Sequence, residues 1–135
     1  MKKTIFTIVT LILFSINSKA QQSNYKDCIN GKGDYQSMSD LIEKLQYYLR
    51  ETANPIDDLW RELDNEFKNK NNAEYEEIRN KIREFATLIF KSYSVDELNS
   101  STLRYRVCVS LEEFDKFNDA KIESFKKKAI AEFHK

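Results

Sequence analysis

The fold class of this chain is decided by residues 54–67, which read NPIDDLWRELDNEF. The large apolar side chains of this stretch recur at offsets of 0, 3, 4, 7 and 11: Ile56, Leu59, Trp60, Leu63 and Phe67. This period places them on one face of an amphipathic helix. Asn54 and Pro55 are typical of the N-cap and first position of such a helix. The polar run at residues 69–72 is expected to end it.

Helical spacing continues on both sides of this stretch. We expect an earlier helix to begin at Asp40, which forms a capping-box pattern with Glu43. It should end near Ala53, because a residue that precedes a proline disfavours the helical conformation. The apolar positions of the earlier helix are Leu41, Leu45, Tyr48, Leu49 and Ala53. A third helix is expected after the polar run at residues 69–72, and its apolar positions are Tyr75, Ile78, Ile82, Phe85, Ala86 and Ile89.

Two S-x-x-E capping boxes, which begin at Ser94 and Ser110, predict two further helix starts. We place a fourth helix at residues 95–108 and a fifth at residues 111–133. The run Val107-Cys108-Val109 could instead be extended, because β-branched residues favour strands.

These patterns predict an all-α protein, a small bundle of about five helices joined by short links. The helical domain should span residues 38–135. An irregular segment at residues 21–37 precedes it, and both glycines of the chain lie there, in the turn sequence Asn30-Gly31-Lys32-Gly33-Asp34. The low content of Gly and Pro, two and one residues, fits a helical domain.

Residues 1–20 have the pattern of a secretory signal peptide. Lys2 and Lys3 precede an apolar run at residues 5–16, and Ser18-Lys19-Ala20 carries small residues where signal peptidase reads them. We predict cleavage after Ala20, a secreted or periplasmic protein, and no stable membrane insertion after cleavage. The alternative is a retained N-terminal anchor, although the apolar run is shorter than the roughly 20 residues of a membrane span.

Cys28 and Cys108 remain after cleavage of the signal peptide. Because exported proteins reach an oxidising compartment, these two cysteines are expected to form a disulfide. The alternative is two buried, reduced thiols.

Loss of Lys2, Lys3 and Lys19 takes the formal net charge from 0 to −3, which argues against a nucleic-acid partner. The basic run at residues 126–128 is expected to be a solvated face, and the alternative is a docking patch for an acidic partner.

No motif for catalysis, a metal or a cofactor is recognisable. The only histidine, His134, lies next to the chain end, where positions fray. The acidic sets at residues 58, 62 and 66 and at residues 112–119 are expected to stabilise helix ends and ion pairs rather than bind Ca²⁺. We therefore predict that the protein is not an enzyme, with a carboxylate-based hydrolase as the remaining alternative.

Tyr47, Phe90 and Tyr105 lie off the clean apolar stripes of their helices. Surplus aromatic residues can mark an interaction surface. We predict an exported helical protein that binds another protein, of the inhibitor, immunity or envelope-chaperone type. The alternative is a carrier or sensor that holds a small apolar ligand between helices.

Overall fold

The computed structural model describes residues 25–135, which form an all-α bundle, as predicted. The predicted signal peptide and its cleavage site after Ala20 lie outside the described residues. Within the described part of the chain there is no strand, so the Val107-Cys108-Val109 run is helical and not extended. The α-helices are α1 (Tyr25–Asn30), α2 (Met38–Glu62), α3 (Asn65–Ile89), α4 (Val95–Leu98), α5 (Ser101–Phe117) and α6 (Glu123–Glu132). A 3₁₀ turn, Gly33–Tyr35, lies between α1 and α2, and a π-helical turn, Asn118–Ile122, joins α5 to α6.

Three long rods form the bundle: α2, α3, and α5 with α6. Aromatic contacts fix their directions. Phe114 in α5 lies 4.9 Å from Phe85, centroid to centroid, and Phe125 in α6 lies 6.1 Å from Tyr75, so α3 runs antiparallel to the third rod. The rods are thus connected up, down and up, and the core lies between them. The side chains that the core buries completely include Ile56, Leu59, Ile78, Ile89, Val107, Ile122 and Phe125.

The predicted end of the first helix near Ala53 is wrong, because α2 continues through Pro55 to Glu62. A proline inside a helix removes one hydrogen bond, to the carbonyl four residues earlier. That carbonyl belongs to the exposed Glu51, where water can serve as the partner. Ile56 and Leu59 are fully buried just beyond the proline, and their packing offsets the lost bond.

The chain breaks instead at Leu63 and Asp64. The Asp64 carboxylate accepts the Phe67 N–H at 2.8 Å and so caps α3. The predicted break at residues 69–72 is therefore wrong, and that run forms part of α3. The predicted start at Asp40 is also displaced, since the Ser37 hydroxyl accepts the Asp40 N–H at 3.2 Å and is the N-cap of α2.

Of the two capping boxes, only the one at Ser94 forms, with both of its hydrogen bonds present. The helix that it starts, α4, has only four residues, and Ser100 caps the next helix by accepting the Leu103 N–H. Ser110 lies inside α5, so the predicted boundary between residues 108 and 111 is wrong. Cys108, Leu111 and Phe114 are all buried around it, and this continuous apolar stripe keeps the helix unbroken.

The N-terminal hook, residues 25–37, folds back against α5. The predicted disulfide is confirmed: Cys28 of α1 is bonded to Cys108, with the Cα atoms 5.8 Å apart. The turn predicted at residues 30–34 contains Gly31 and Gly33, whose φ angles of 63° and 60° lie in the left-handed region. Glycine adopts this region without the steric cost that a Cβ would add.

Candidate functional site

In the described residues, the side chains that could serve in catalysis or bind a metal are not brought together. His134 is exposed, two residues beyond the end of α6. Across residues 25–135, no three His, Cys, Asp or Glu side chains are grouped so that they could hold a metal ion. In the same part of the chain, no helix combines the length and the apolar character that a membrane crossing requires.

The acidic set on the second predicted helix is divided between two helices. Asp58 lies on α2 and is paired with Arg61. Glu66 lies on α3, beyond the break at Asp64, and pairs with Lys70 at 3.1 Å. Glu112, in the other acidic set, pairs with Lys116 at 3.2 Å. These pairs favour the interpretation of the carboxylates as helix-surface ion pairs.

The basic run at residues 126–128 is not a continuous solvated face, which corrects that expectation. Lys126 is 1% exposed and lies 3.6 Å from the buried Glu123 carboxylate. Lys128 reaches across to α3 and pairs with Glu74 at 2.6 Å. Lys127 is exposed. The π-helical turn and α6 thus direct the three lysines to different environments, which argues against a basic docking patch.

A buried polar cluster joins α2 to the π-helical turn. The Tyr48 hydroxyl donates to Asp115 Oδ1 at 2.6 Å and accepts from Asn118 Nδ2 at 3.2 Å. Burial, and next the Asp115 carboxylate, raise the pKa of Tyr48 far above its ordinary value. The hydroxyl therefore stays protonated as a donor, and the cluster holds the rods in register. The spacing of the sequence predicts Tyr48 as a member of the apolar stripe and does not show these hydrogen bonds of its hydroxyl group.

The three predicted interaction residues are all exposed, but they do not form one surface. Tyr47 is 64% exposed on α2, Phe90 is 42% exposed at the end of α3, and Tyr105 is 55% exposed on α5. Phe90 is tied to α2 rather than to α5. The Arg50 guanidinium lies 5.0 Å from the Phe90 ring centroid, and Gln46 Nε2 donates to the Ile89 carbonyl at 2.7 Å.

Tyr47, Arg50 and Phe90 thus define one candidate surface, which we term the aromatic edge. Tyr47 and Arg50 are three residues apart on α2 and therefore neighbours on its surface. Arg50 covers Phe90 in a cation–π arrangement. Arg50 is not among the residues predicted from the sequence; the one signal for it there is its place three residues after Tyr47 on a predicted helix.

Tyr105 belongs to a second surface, a groove of about 470 Å³ between the end of α3 and the first half of α5. Leu88 and Val109 supply its apolar lining, and both are partly buried. Four charged side chains also line it: Glu84, Lys91, Arg106 and Glu113. We term this surface the bipolar groove. Its charged residues were not singled out from the sequence, because the groove exists only once α3 and α5 are packed.

Arg104 lies on α5, one turn before Cys108, and its side chain binds the backbone of the N-terminal hook. Its Nη1 atom donates to the carbonyls of Cys28 and Tyr35, at 3.0 and 2.6 Å, and its Nη2 atom donates to that of Gln36 at 2.9 Å. Charge-assisted bonds of this kind are stronger than neutral ones. The hook is therefore attached twice, by a covalent bond and by one guanidinium.

No protein-family model, no curated protein and no solved structure matches this chain.

Proposed function

We propose that this protein is exported and acts without catalysis, by binding another protein through the aromatic edge. The inhibitor, immunity and envelope-chaperone types all work in this manner. The observation that supports this most directly is the Arg50 guanidinium, held 5.0 Å from the Phe90 ring centroid beside the exposed Tyr47. Tyrosine and arginine are enriched among the residues that contribute most to protein–protein binding.

The backbone beneath the aromatic edge is held by contacts within the chain itself. The Gln46–Ile89 hydrogen bond fixes the end of α3 against α2, and Ile89 is fully buried at the same point. A surface that is ordered in advance loses less conformational entropy on binding. The aromatic side chains add large contact areas with few rotatable bonds.

Export is supported by two observations of different kinds. Residues 1–20 have the signal-peptide pattern, and the Cys28–Cys108 disulfide is compatible with an oxidising compartment. The finer assignment to the periplasm or the medium is part of this proposal.

The small-ligand alternative has weaker support. A site for an apolar molecule is lined mostly by apolar and aromatic side chains. The bipolar groove has Glu84 and Glu113 at one end and Lys91 and Arg106 at the other. Covering these charges with an apolar ligand would remove them from water without a compensating partner.

The proposal is tested by placing a photo-crosslinking amino acid at position 47 of the exported protein in its producing cells. The matched control places it at Val95, which is 73% exposed on α4. We expect a discrete protein adduct from position 47 and none from position 95.

The protein identified in this way is then used in a binding assay. Tyr47→Ala with Phe90→Ala should weaken its binding at least about tenfold, while Val95→Ala should leave it unchanged. Equal adducts from both positions, or no adduct from position 47, would contradict the proposal.

A further inference from the structure

The bipolar groove has an ordered distribution of charge. Glu84 lies on α3 and Lys91 directly follows its C-cap, Phe90, whereas Arg106 and Glu113 are seven residues apart on α5. Seven residues return to nearly the same face of a helix and advance it by about 10 Å. Because α3 and α5 are antiparallel, the two acidic residues lie together at one end of the groove and the two basic residues at the other.

The remaining charges near the groove are already engaged. Lys81 pairs with Glu84 at 3.6 Å at the acidic end. Glu97, whose carboxylate lies within electrostatic range of Lys91, accepts the Ser94 N–H at 3.1 Å in the capping box of α4. Within residues 25–135, the structure gives Lys91, Arg106 and Glu113 no ion-pair partner. Lys91 does lie over an aromatic ring, with its Nζ atom 5.5 Å from the Tyr93 ring centroid. In the described part of the chain, the acidic end thus has one anion without an ion pair, and the basic end has two cations without one.

The middle of the groove is apolar and small. Leu88 lies four residues after Glu84 and three before Lys91, and Val109 lies three residues after Arg106 and four before Glu113. Thr87 and Ser110 add hydroxyl groups beside them. Leu88 and Val109 therefore separate the acidic end of the groove from its basic end.

We propose that a second copy of this chain docks on the bipolar groove, around a two-fold axis that lies in the interface and crosses the groove over Leu88 and Val109. A two-fold interface needs a patch that is complementary to itself. Rotation about this axis brings Glu84 and Glu113 of one copy to Lys91 and Arg106 of the second copy. It also brings the apolar centres of the two copies together. An unrelated partner would not require opposite charges at the two ends of one apolar centre.

The dimer that this surface supports is weak and sensitive to salt. Its apolar centre is limited to partly buried side chains, and most of its complementarity comes from exposed charges, which are screened by ions. We expect a dissociation constant in the range of about 1–100 μM at low salt. It should rise at least about fivefold when the salt concentration rises to about 0.5 M.

Sedimentation velocity on the full exported protein, with its disulfide intact, tests this inference. Lys91→Glu with Arg106→Glu makes both ends of the groove acidic, and Glu84→Lys with Glu113→Lys makes both ends basic. Each of these half-reversed proteins should dimerise at least about tenfold more weakly than the parent. An equimolar mixture of the two should form a heterodimer, and the protein with all four reversals should dimerise again, because its groove is self-complementary once more.

The inference is overturned if the parent protein remains a monomer at about 1 mM, or if either half-reversed protein dimerises as well as the parent. It is also overturned if the equimolar mixture of the two half-reversed proteins fails to form a heterodimer. Formation of the heterodimer requires that both proteins are folded and that their grooves are complementary. Tyr47→Ala with Phe90→Ala should leave the dimer unchanged. This keeps the outcome separate from the test of the aromatic edge.

Discussion

The N-terminal hook and the opposite end of the bundle are held in place by different means. The hook is fixed at two points, the Cys28–Cys108 disulfide and the Arg104 guanidinium. The other end is held by a cluster of rings that we term the aromatic end: Trp60, Phe67, Tyr75 and Phe125. Trp60 and Tyr75 are stacked with their centroids 3.9 Å apart. A few directional contacts are enough to order the polar hook, whereas the stability of the aromatic end depends on the apolar area that its rings bury.

The largest loss of stability is expected from removing the covalent attachment of the hook. Replacing both Cys28 and Cys108 with alanine opens a link that spans a sequence separation of 80. The unfolded chain then gains conformational freedom, which corresponds to about 4–5 kcal/mol in the chain-entropy model. Urea unfolding measures the change. Reduction of the parent protein should produce a loss of similar size, and a loss below about 1 kcal/mol would contradict this origin.

A comparable but slightly smaller loss is expected at the aromatic end. Phe125→Ala should cost about 3–5 kcal/mol, because the ring is fully buried between α2 and α3 and leaves a cavity. Phe133→Ala is the matched control, since Phe133 is only partly buried at the end of the same helix. Equal losses from the two variants would mean that burial does not determine the contribution of these rings.

Arg104→Ala should cost about 1.5–3 kcal/mol, because three backbone carbonyls lose a charged donor. Hydrogen exchange of the hook amides should increase more when the disulfide is also absent, since the guanidinium is then the remaining attachment. Arg83→Ala, which removes an exposed side chain bonded to Asn80, is the surface control. Unchanged exchange in the doubly altered protein would show that the hook is held by something else.

The smallest of these effects is expected within the turn of the hook. Gly31→Ala and Gly33→Ala each place a Cβ on a residue with positive φ, which costs about 1–2 kcal/mol. A Cβ at Gly31 would also lie 3.3 Å from Arg104 Cζ, whereas a Cβ at Gly33 would meet nothing within 4 Å. Thermal unfolding should therefore rank Gly31→Ala as the more destabilising change. The reverse order would argue against the close approach of Arg104.

The helical faces were predictable from the sequence, and the helix ends were not. Ile56 and Leu59 are buried as their spacing indicated, because periodicity is a local property of the chain. Pro55 and Ser110 are local stop and start signals, but the packing of their neighbours outweighs both. Where a helix ends therefore depends on contacts between distant parts of the chain, which the local sequence does not show.

The same limit applies to the candidate sites. Tyr47, Phe90 and Tyr105 were singled out by their position off the apolar stripes, and their role as an interaction surface stays a prediction. The pairing of Phe90 with Arg50 and the placement of Tyr105 beside Lys91 and Arg106 depend on how the rods pack. Arg104 resembles any helix arginine in the sequence, and its three carbonyl partners lie 68 to 76 positions away.

The π-helical turn at Asn118–Ile122 has a consequence for which length changes the chain tolerates. Each residue added to or removed from a helix rotates everything beyond it by about 100°. A π-helical turn holds one more residue than an α-helical turn, so deletion of Ala120 is an exception: conversion of the turn to α-helix would absorb it and leave Phe125 and Ala129, both fully buried, in the core. Related chains should accept insertions and deletions in the links between the rods, and between Phe114 and Phe125 they should lack at most the one residue that separates a π-helical from an α-helical turn.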